Sequence, residues 1–300
     1  MGINFPKNKQ EYSILLRRGI NNRMIRALEN REIPWQKPWE GRGEGVGYPR
    51  EASTRKKFFG INFLLLQMAA KRHNFVSSWW GTADFFKSLG AEVKERPEDV
   101  MPGSWATETV LYEDSISLSS VVYNVDQLDL LLENYPNNST LMPNYKAGEK
   151  VLLATKANVQ HTDEGEAWYY YPPNDYIALP KKKRCEAGLG GLPIYYESLA
   201  HELMHWSEVR LGVEVTVANE AMRELRADIG AAMLLEELGL PHSISASNFN
   251  KWYLQWIELL KKDENLIFRV SAAASLATDF ILGFSNYAEP RFNMINENAA

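Results

Sequence analysis

The stretch His201-Glu202-Leu203-Met204-His205 decides how the rest of the chain is interpreted. On an α-helix, residues four positions apart lie on one face a turn apart, so both imidazoles can reach one metal ion. Glu202 directly follows the first histidine, where its carboxylate can polarise a metal-bound water instead of ligating the metal. The pattern predicts a catalytic metal centre with His201 and His205 as ligands and Glu202 as general base. Two surface histidines without a metal are the plain alternative.

The residues around this motif favour a long helix. Apolar Tyr195, Leu199, Leu203 and Trp206 recur at helical spacing, and Gly212 is a suitable stop for the helix. The expected apolar face is therefore distinct from the face that carries the two histidines.

A three-ligand catalytic site needs one more residue, and the next predicted helix supplies candidates. Glu220, Glu224 and Asp228 follow one another at intervals of four on one face. We expect Glu224 to be the third ligand, because its separation of 19 positions from His205 is similar to that of thermolysin-like gluzincins. Asp228 would then hold a histidine ring by its free N–H. Asp228, and after it Glu220, stay open as alternative ligands.

Composition excludes several classes of protein. The single cysteine, Cys185, cannot form an internal disulfide and fits a reducing compartment. Residues 1–10 lack the pattern of a signal peptide, and no apolar run reaches the length of a membrane span. We therefore expect a cytoplasmic protein without a membrane partner.

The charge is unevenly distributed along the chain. Residues 1–90 contain 16 Lys and Arg against 7 Asp and Glu, a balance of +9, which leaves −14 for the remainder of a chain with net charge −5. Such asymmetry indicates a basic module that meets a polyanion, joined to an acidic module with another role. Uneven but solvated surface charge is the alternative.

The basic first segment also interleaves cations with aromatic side chains. Proteins that bind single-stranded nucleic acid combine cations for phosphates with flat rings on which bases stack. Aromatic residues are more often part of a core, and a protein-binding module would have a similar composition. The candidate DNA-binding residues are Trp35, Lys37, Trp39, Arg55, Lys56, Lys57, Phe59, Trp79 and Trp80.

The patterning predicts an α+β chain of two domains. We expect a first domain at residues 1–130, a linker rich in Asn, Pro and Tyr at 131–149, and a second domain at 150–300. Predicted helices cover 9–30, 60–71, 82–89, the motif helix, 219–238, 249–261 and 264–284. Predicted strands cover 107–112, 117–124, 150–156 and 168–179.

With these residues laid out, the chain resembles the ArdC-type antirestriction proteins of conjugative plasmids. The stretches that carry the likeness are Ile33-Pro34-Trp35, Lys37-Pro38-Trp39, Phe59-Gly60-Ile61-Asn62, Leu64-Leu65-Leu66, Trp79 with Thr82, Leu89-Gly90, residues 122–127, residues 195–206 and residues 224–230. The match covers nearly the whole chain, and the combination is far more specific than HExxH alone.

The resemblance implies an N-terminal domain that binds single-stranded DNA and a C-terminal zincin-like metallopeptidase domain of gluzincin type. It also implies protection of incoming plasmid DNA from host restriction. The expected partners are single-stranded DNA and a protein substrate, with a host restriction-system protein or another protein open as that substrate. Two departures from the family pattern stand out. Residues 91–97 replace the family's Gly-x-x-Val-x-Lys-Gly turn, and Asp228 stands where the family usually has Glu. The shorter carboxylate favours Glu224 as the ligand.

Three interpretations of the motif follow. The first is a Zn²⁺-dependent peptidase, with Mn²⁺ or Co²⁺ open as the metal, in which Glu202 takes a proton from the attacking water. The second is a non-catalytic coat for single-stranded DNA with a structural or vestigial metal site, and whether any peptide is cut is left open. The third, a mimic of DNA that binds a restriction subunit, fits less well because the first segment is basic.

Overall fold

The computed structural model describes residues 8–36, 47–113, 116–135, 143–162, 168–189, 191–243 and 247–285. The helices are α1 (Lys9–Glu29), α2 (Ile61–His73), α3 (Ala83–Ser88), α4 (Tyr145–Leu153), α5 (Lys182–Arg184), α6 (Gly191–Arg210), α7 (Glu220–Leu238), α8 (Ser247–Lys262) and α9 (Leu266–Leu282). The strands are β1 (Arg50–Glu51), β2 (Trp79–Gly81), β3 (Thr107–Glu113), β4 (Ile116–Asn124), β5 (Asn158–Thr162), β6 (Tyr169–Tyr171) and β7 (Tyr176–Pro180).

The first sheet lies in the N-terminal segment and has the strand order β1-β2-β4-β3. Its hairpin of β3 and β4 is antiparallel, with Thr107 opposite Val122. Helix α1 packs against β4 and α2 against β3, as the apolar positions of both helices require. The predicted helices over 9–30, 60–71 and 82–89 and both predicted strands are confirmed, apart from shifts at their ends.

The second sheet immediately precedes the motif helix and has the order β5-β7-β6, with β7 parallel to β5 and antiparallel to β6. The predicted strand over 168–179 is divided into β6 and β7 by a turn at Pro172–Asn174. Strand β5 was not predicted from the sequence. The sheet places a short edge strand, β6, beside α6.

The predicted strand over 150–156 is wrong, because most of this stretch belongs to helix α4. Asn144 caps the helix, its side-chain oxygen accepting from the amide of Ala147 at 3.0 Å. Val151 and Leu152 then lie on the buried face, which packs against α6 and α9. The helix begins at Tyr145, inside the predicted linker.

One hydrophobic core is built from both parts of the chain, called here the first segment (up to residue 135) and the second segment (from residue 143). Ile20, Met24 and Phe63 of the first segment pack in the same cluster as Ile229 and Trp256 of the second. Elements α1 and α8, and α2 and α9, are in direct contact. The two segments, although far apart in sequence, therefore share one interior.

Several basic residues of the first segment pair with acidic residues of the second. Arg50 Nη2 lies 2.8 Å from Glu237 Oε1 in a buried pair. Arg18 meets Glu264 and Lys57 meets Asp279, each also at 2.8 Å. Part of the excess of basic residues in the first segment is thus paired with acidic residues of the second segment. That part of the charge asymmetry is not evidence for binding to a polyanion.

We expect Arg50→Ala to lower the free energy of unfolding by roughly 3–5 kcal/mol, because it removes the Arg50 guanidinium from its contact with the buried Glu237 carboxylate. Lys261→Ala is the matched control, since the Lys261–Glu29 pair is exposed to solvent and should contribute little to stability. Urea unfolding of both variants measures the difference. Equal effects would contradict the assignment of Arg50 to a buried contact.

Candidate metal centre

Helix α6 presents the two motif histidines on one face while its opposite side is held in the core. Tyr195, Leu199 and Leu203 are at most 2% exposed and pack in the core cluster that also contains β7. The helix ends at Arg210, and Gly212 has φ +71°, a left-handed conformation that ends the helix readily. The predicted helix and its stop are both confirmed.

Helix α7 lies close beside α6 because Gly230 faces Met204. A Cβ atom added at Gly230 would meet the Met204 sulfur at 2.5 Å, so the absence of a side chain at Gly230 makes room for Met204 between the helices. The close approach brings the Glu224 side chain to the two histidines.

Three ligand atoms meet between these helices. Nε2 of His201 and Nε2 of His205 are 3.2 Å apart. The Glu224 oxygens lie 3.3 Å from His201 Nε2 and 3.4 Å from His205 Nε2. Ligands at about 2.1 Å in a tetrahedral shell are about 3.4 Å apart, so this spacing fits a small divalent cation. Within the described ranges, these are the three side chains that could together hold one metal.

Asp228 lies one helical turn beyond Glu224, on the side of the His201 ring that carries Nδ1. Its Oδ1 is 4.0 Å from Nδ1 of His201, the ring nitrogen that does not face the ligand group. Its Oδ2 accepts a hydrogen bond from the Trp35 indole at 2.7 Å. At 4.0 Å the contact between Asp228 and the His201 ring is electrostatic rather than a hydrogen bond, and Asp228 is outside the ligand group. Glu220 faces the same cavity without joining the three-atom group.

The second histidine has an equivalent carboxylate that we did not predict. Glu208 Oε2 lies 3.4 Å from Nδ1 of His205, and Glu208 is fully buried. Its charge is balanced by Arg223 at 2.5 Å and Arg226 at 2.7 Å. The signal in the sequence was the spacing, since Glu208 is three positions after His205 and so on the same face of the helix.

The ionisation of the ligands reflects their mutual contact. Burial alone would lower the pKa of His205, but hydrogen bonds with Glu208 and Glu224 outweigh it and raise the pKa to about 10. Burial would raise the pKa of Glu224, yet its contacts with both histidines move that pKa well below its usual range. Burial raises the pKa of Asp228 despite the nearby His201. A bound metal cation would displace the protons that these groups share, because histidine and carboxylate side chains ligate a metal in their deprotonated forms.

A cavity of about 620 Å³ opens onto the three ligand atoms, and Glu202 lies in its wall. Glu202 is 7% exposed and follows His201, so its carboxylate adjoins the ligand group without being part of it. Strand β6 and the residues beside it form another wall. The residues that line the cavity also include Gln36, Tyr169, Tyr170, Glu197, Glu220 and Asn248.

A buried histidine links the cavity wall to the end of α7. His242 Nε2 lies 3.2 Å from Glu236 Oε1, and its Nδ1 lies 3.9 Å from Glu197 Oε1. Burial would lower the pKa of His242, but these two carboxylates raise it to about 9. Glu197 also accepts from the amide of Ser243 at 2.7 Å.

We expect His242 to make stability depend on pH in the alkaline range. Because its folded pKa is about 9, above the usual 6.5, its contribution is complete below pH 6.5 and is lost as pH rises through 9. The loss should be on the order of 3 kcal/mol. His242→Gln should remove this part of the slope in urea unfolding of metal-free protein between pH 6.5 and 9.5.

His161→Gln is the control for that measurement. Burial and the charge of Lys182 lower the pKa of His161, so its titration falls below the same pH window. The control should keep the wild-type slope. A His242→Gln slope identical to wild type would contradict the assignment.

The predicted DNA-binding residues divide into three groups. Trp35, Trp79 and Trp80 are 0%, 3% and 0% exposed, and a base can stack only on a ring with a free face. The structure therefore places these three rings in the core rather than on a stacking surface. Lys37 and Trp39 lie outside the described residues.

The remaining four candidates lie near one another in sequence but differ in their contacts. Arg55 sits over the Trp79 ring at 5.6 Å from its centroid, and Lys57 pairs with Asp279. Lys56 is exposed, and Phe59 is 46% exposed. Lys56 and Phe59 thus offer a cation and a ring to the solvent.

Two family models match the chain in succession. Residues 146–275 match the family described as zincin-like metallopeptidase, which is the class that the α6–α7 ligand group and the preceding sheet define. Residues 16–122 match the family described as the N-terminal domain of anti-restriction factor ArdC. The chain therefore resembles ArdC-type antirestriction proteins in carrying these two matches in succession, and the expected α+β class is confirmed.

Solved structures show the same likeness over almost the whole chain. The Mn(II)-bound antirestriction protein ArdC of plasmid R388 is 28% identical, with a TM-score of 0.69 over 91% of this chain and 99% of that one. Its metal-free form gives 26% identity and a TM-score of 0.68, with coverage of 90% and 97%. The first of these two structures contains a divalent metal ion.

Curated relatives include longer proteins. Two Escherichia coli proteins named DNA primase TraC are 26% and 28% identical over 88% of this chain, which spans only 20% and 27% of their lengths. The protein y4eC of Sinorhizobium fredii is 22% identical, over 87% of this chain and 90% of its own.

Among the described residues, no single helix has the length and apolar character needed to cross a bilayer. The bent pair Asn248–Lys262 and Leu266–Leu282 passes that test by length and composition.

Proposed function

We propose that this protein is an antirestriction factor that binds single-stranded DNA through its N-terminal segment and carries a metal-dependent peptidase centre in its C-terminal segment. The observation that supports the second role best is the group formed by His201, His205 and Glu224, in which the two Nε2 atoms and the two carboxylate oxygens make contacts of 3.2 to 3.4 Å and face a cavity beside Glu202. Zn²⁺ is the proposed metal, because two imidazoles and a carboxylate form its usual catalytic ligand set, and Mn²⁺ or Co²⁺ are alternatives.

The residues of the site have separable tasks in peptide hydrolysis. A divalent cation held by His201, His205 and Glu224 would supply a water of lowered pKa and polarise the peptide carbonyl. Glu202 accepts the proton of the attacking water and delivers it to the leaving amine. Asp228, near Nδ1 of His201, and Glu208, near Nδ1 of His205, orient the two imidazoles.

The substrate that fits this cavity best is an extended segment of polypeptide. Among the described strands, β6 is at the edge of its sheet, since β7 flanks it on one side only in the order β5-β7-β6. Tyr169 and Tyr170 of β6 line the cavity, so a peptide added at this edge would run past the ligand group. A protein of the host restriction system is one candidate substrate.

The DNA-binding role is supported by the match of residues 16–122 and by exposed groups in that segment. Lys56 and Phe59 offer the two kinds of contact that single strands require. We also propose that the protein works in the cytoplasm, where transferred plasmid strands and restriction enzymes meet.

We expect Lys56→Ala to weaken binding of a single-stranded oligonucleotide and to lower the slope of log affinity against log salt by about 1. Phe59→Ala should cost about 1–3 kcal/mol of binding with little change in slope. Gel shifts over a series of salt concentrations measure both. Lys183→Ala, an exposed lysine of the second segment, is the control. Wild-type affinity and slope in both first-segment variants would contradict the proposed contact.

A further inference from the structure

A short stretch of the first segment reaches into the proposed metal centre. Trp35 is fully buried, and its ring meets Trp256 edge-on with centroids 5.8 Å apart. The next residue, Gln36, lines the cavity and donates to Glu197 Oε1 at 2.8 Å. Residues 35 and 36 thus each donate to a carboxylate of the second segment.

The Trp35 indole belongs to a chain of contacts that ends at a ligand. Its Nε1 donates to Asp228 Oδ2 at 2.7 Å, and Asp228 Oδ1 lies 4.0 Å from Nδ1 of His201. The other donor to Asp228, the amide of Asn248, is at 3.5 Å, the limit of a hydrogen bond. Among the described residues, the indole is therefore the closer of the two donors to this carboxylate.

We propose that Trp35 is a positioning residue for the metal centre: its N–H fixes the Asp228 carboxylate, which orients His201. The metal site carried by the second segment is then completed by a side chain of the first segment. This inference rests on the proposed metal site. Outer partners of this kind typically change metal affinity 10- to 100-fold when they are lost.

The alternative role for Trp35 is packing alone, and the chain contains a matched comparison. Trp80 is also fully buried, but its indole N–H has no hydrogen-bond partner among the described residues. Tryptophan to phenylalanine removes similar volume at both positions. Only at position 35 does it remove a hydrogen bond to the metal site.

The test measures Zn²⁺ affinity of the full chain by competition with a chromogenic chelator. We expect Trp35→Phe to lower the affinity at least about 10-fold and Trp80→Phe to leave it unchanged. In an Asp228→Ala background, Trp35→Phe should cause no further loss, because the carboxylate through which it acts is absent. Circular dichroism checks that each variant is folded.

The outcomes are distinct. Wild-type affinity in Trp35→Phe, or an equal further loss in the Asp228→Ala background, would overturn the positioning role and leave the metal site intact. A wild-type protein that binds no Zn²⁺ would overturn the proposed site and this inference together.

If Trp35→Phe does not fold, a measurement on unsubstituted protein decides the question. The indole N–H resonance of Trp35 should shift on Zn²⁺ addition, whereas that of Trp80 should not. An unmoved Trp35 resonance in Zn²⁺-loaded protein would overturn the positioning role.

Discussion

Glu202→Gln is expected to reduce peptide hydrolysis by a factor on the order of 10² to 10⁴ while leaving metal binding unchanged. The amide keeps the shape of the side chain but cannot accept the proton of the attacking water. Glu202 is outside the group of three ligand atoms, so the substitution should not disturb the metal. Cleavage of a denatured protein substrate, with metal content measured in the same preparations, tests both parts of the expectation.

Glu220→Gln is the control, because Glu220 faces the same cavity and is also outside the ligand group. It should hydrolyse peptide at nearly the wild-type rate. Equal hydrolysis by the Glu202→Gln protein would remove Glu202 as general base.

A plasmid-transfer assay extends the test from chemistry to biology. If Glu202→Gln still protects incoming DNA from restriction at the wild-type level, then proteolysis is not the protective mechanism. A coat on single-stranded DNA with an accessory metal site would then explain protection. The Lys56→Ala and Phe59→Ala variants should in that case lose protection in proportion to DNA binding.

Glu224→Ala is expected to lower Zn²⁺ affinity by more than about 100-fold, beyond the loss that an outer partner causes. The substitution removes the only carboxylate of the three-atom group and leaves two imidazoles. Asp228→Ala, one turn further along the same helix face, should cost between about 10- and 100-fold. Glu220→Ala, one turn before, should cost little.

This series discriminates between the candidate ligands because the three residues share one helix and one cavity. Chelator competition gives the three affinities under identical conditions. A larger loss for Asp228→Ala than for Glu224→Ala would make Asp228 the ligand and contradict the geometry.

The local parts of the site could be predicted from sequence, and the reason is periodicity. His201 and His205 are separated by one helical turn, and Glu220, Glu224 and Asp228 repeat at the same interval, so each set had to share a face. Helix–helix distance is not local. The contact between Gly230 and Met204, which brings the two faces together, has no signature in either helix alone.

The errors in the prediction have a common physical origin. Val151 and Leu152 suit a strand or a helix, and the cap by Asn144 and contacts with α6 and α9 select the helix. Trp35 and Trp80 were taken for exposed rings because basic residues lie near them in sequence, although the fold buries both. Tertiary contacts override local composition in each case.

The core that joins Ile20 and Phe63 to Ile229 and Trp256 has a practical consequence for anyone dissecting this protein. A fragment cut near the chain midpoint would expose to water a wide apolar surface normally covered by the other half, and would be prone to aggregate. Loss of DNA protection by such a truncation would report misfolding as readily as a missing activity. Single substitutions in the intact chain are therefore the better way to test DNA binding and metal-dependent peptide hydrolysis separately.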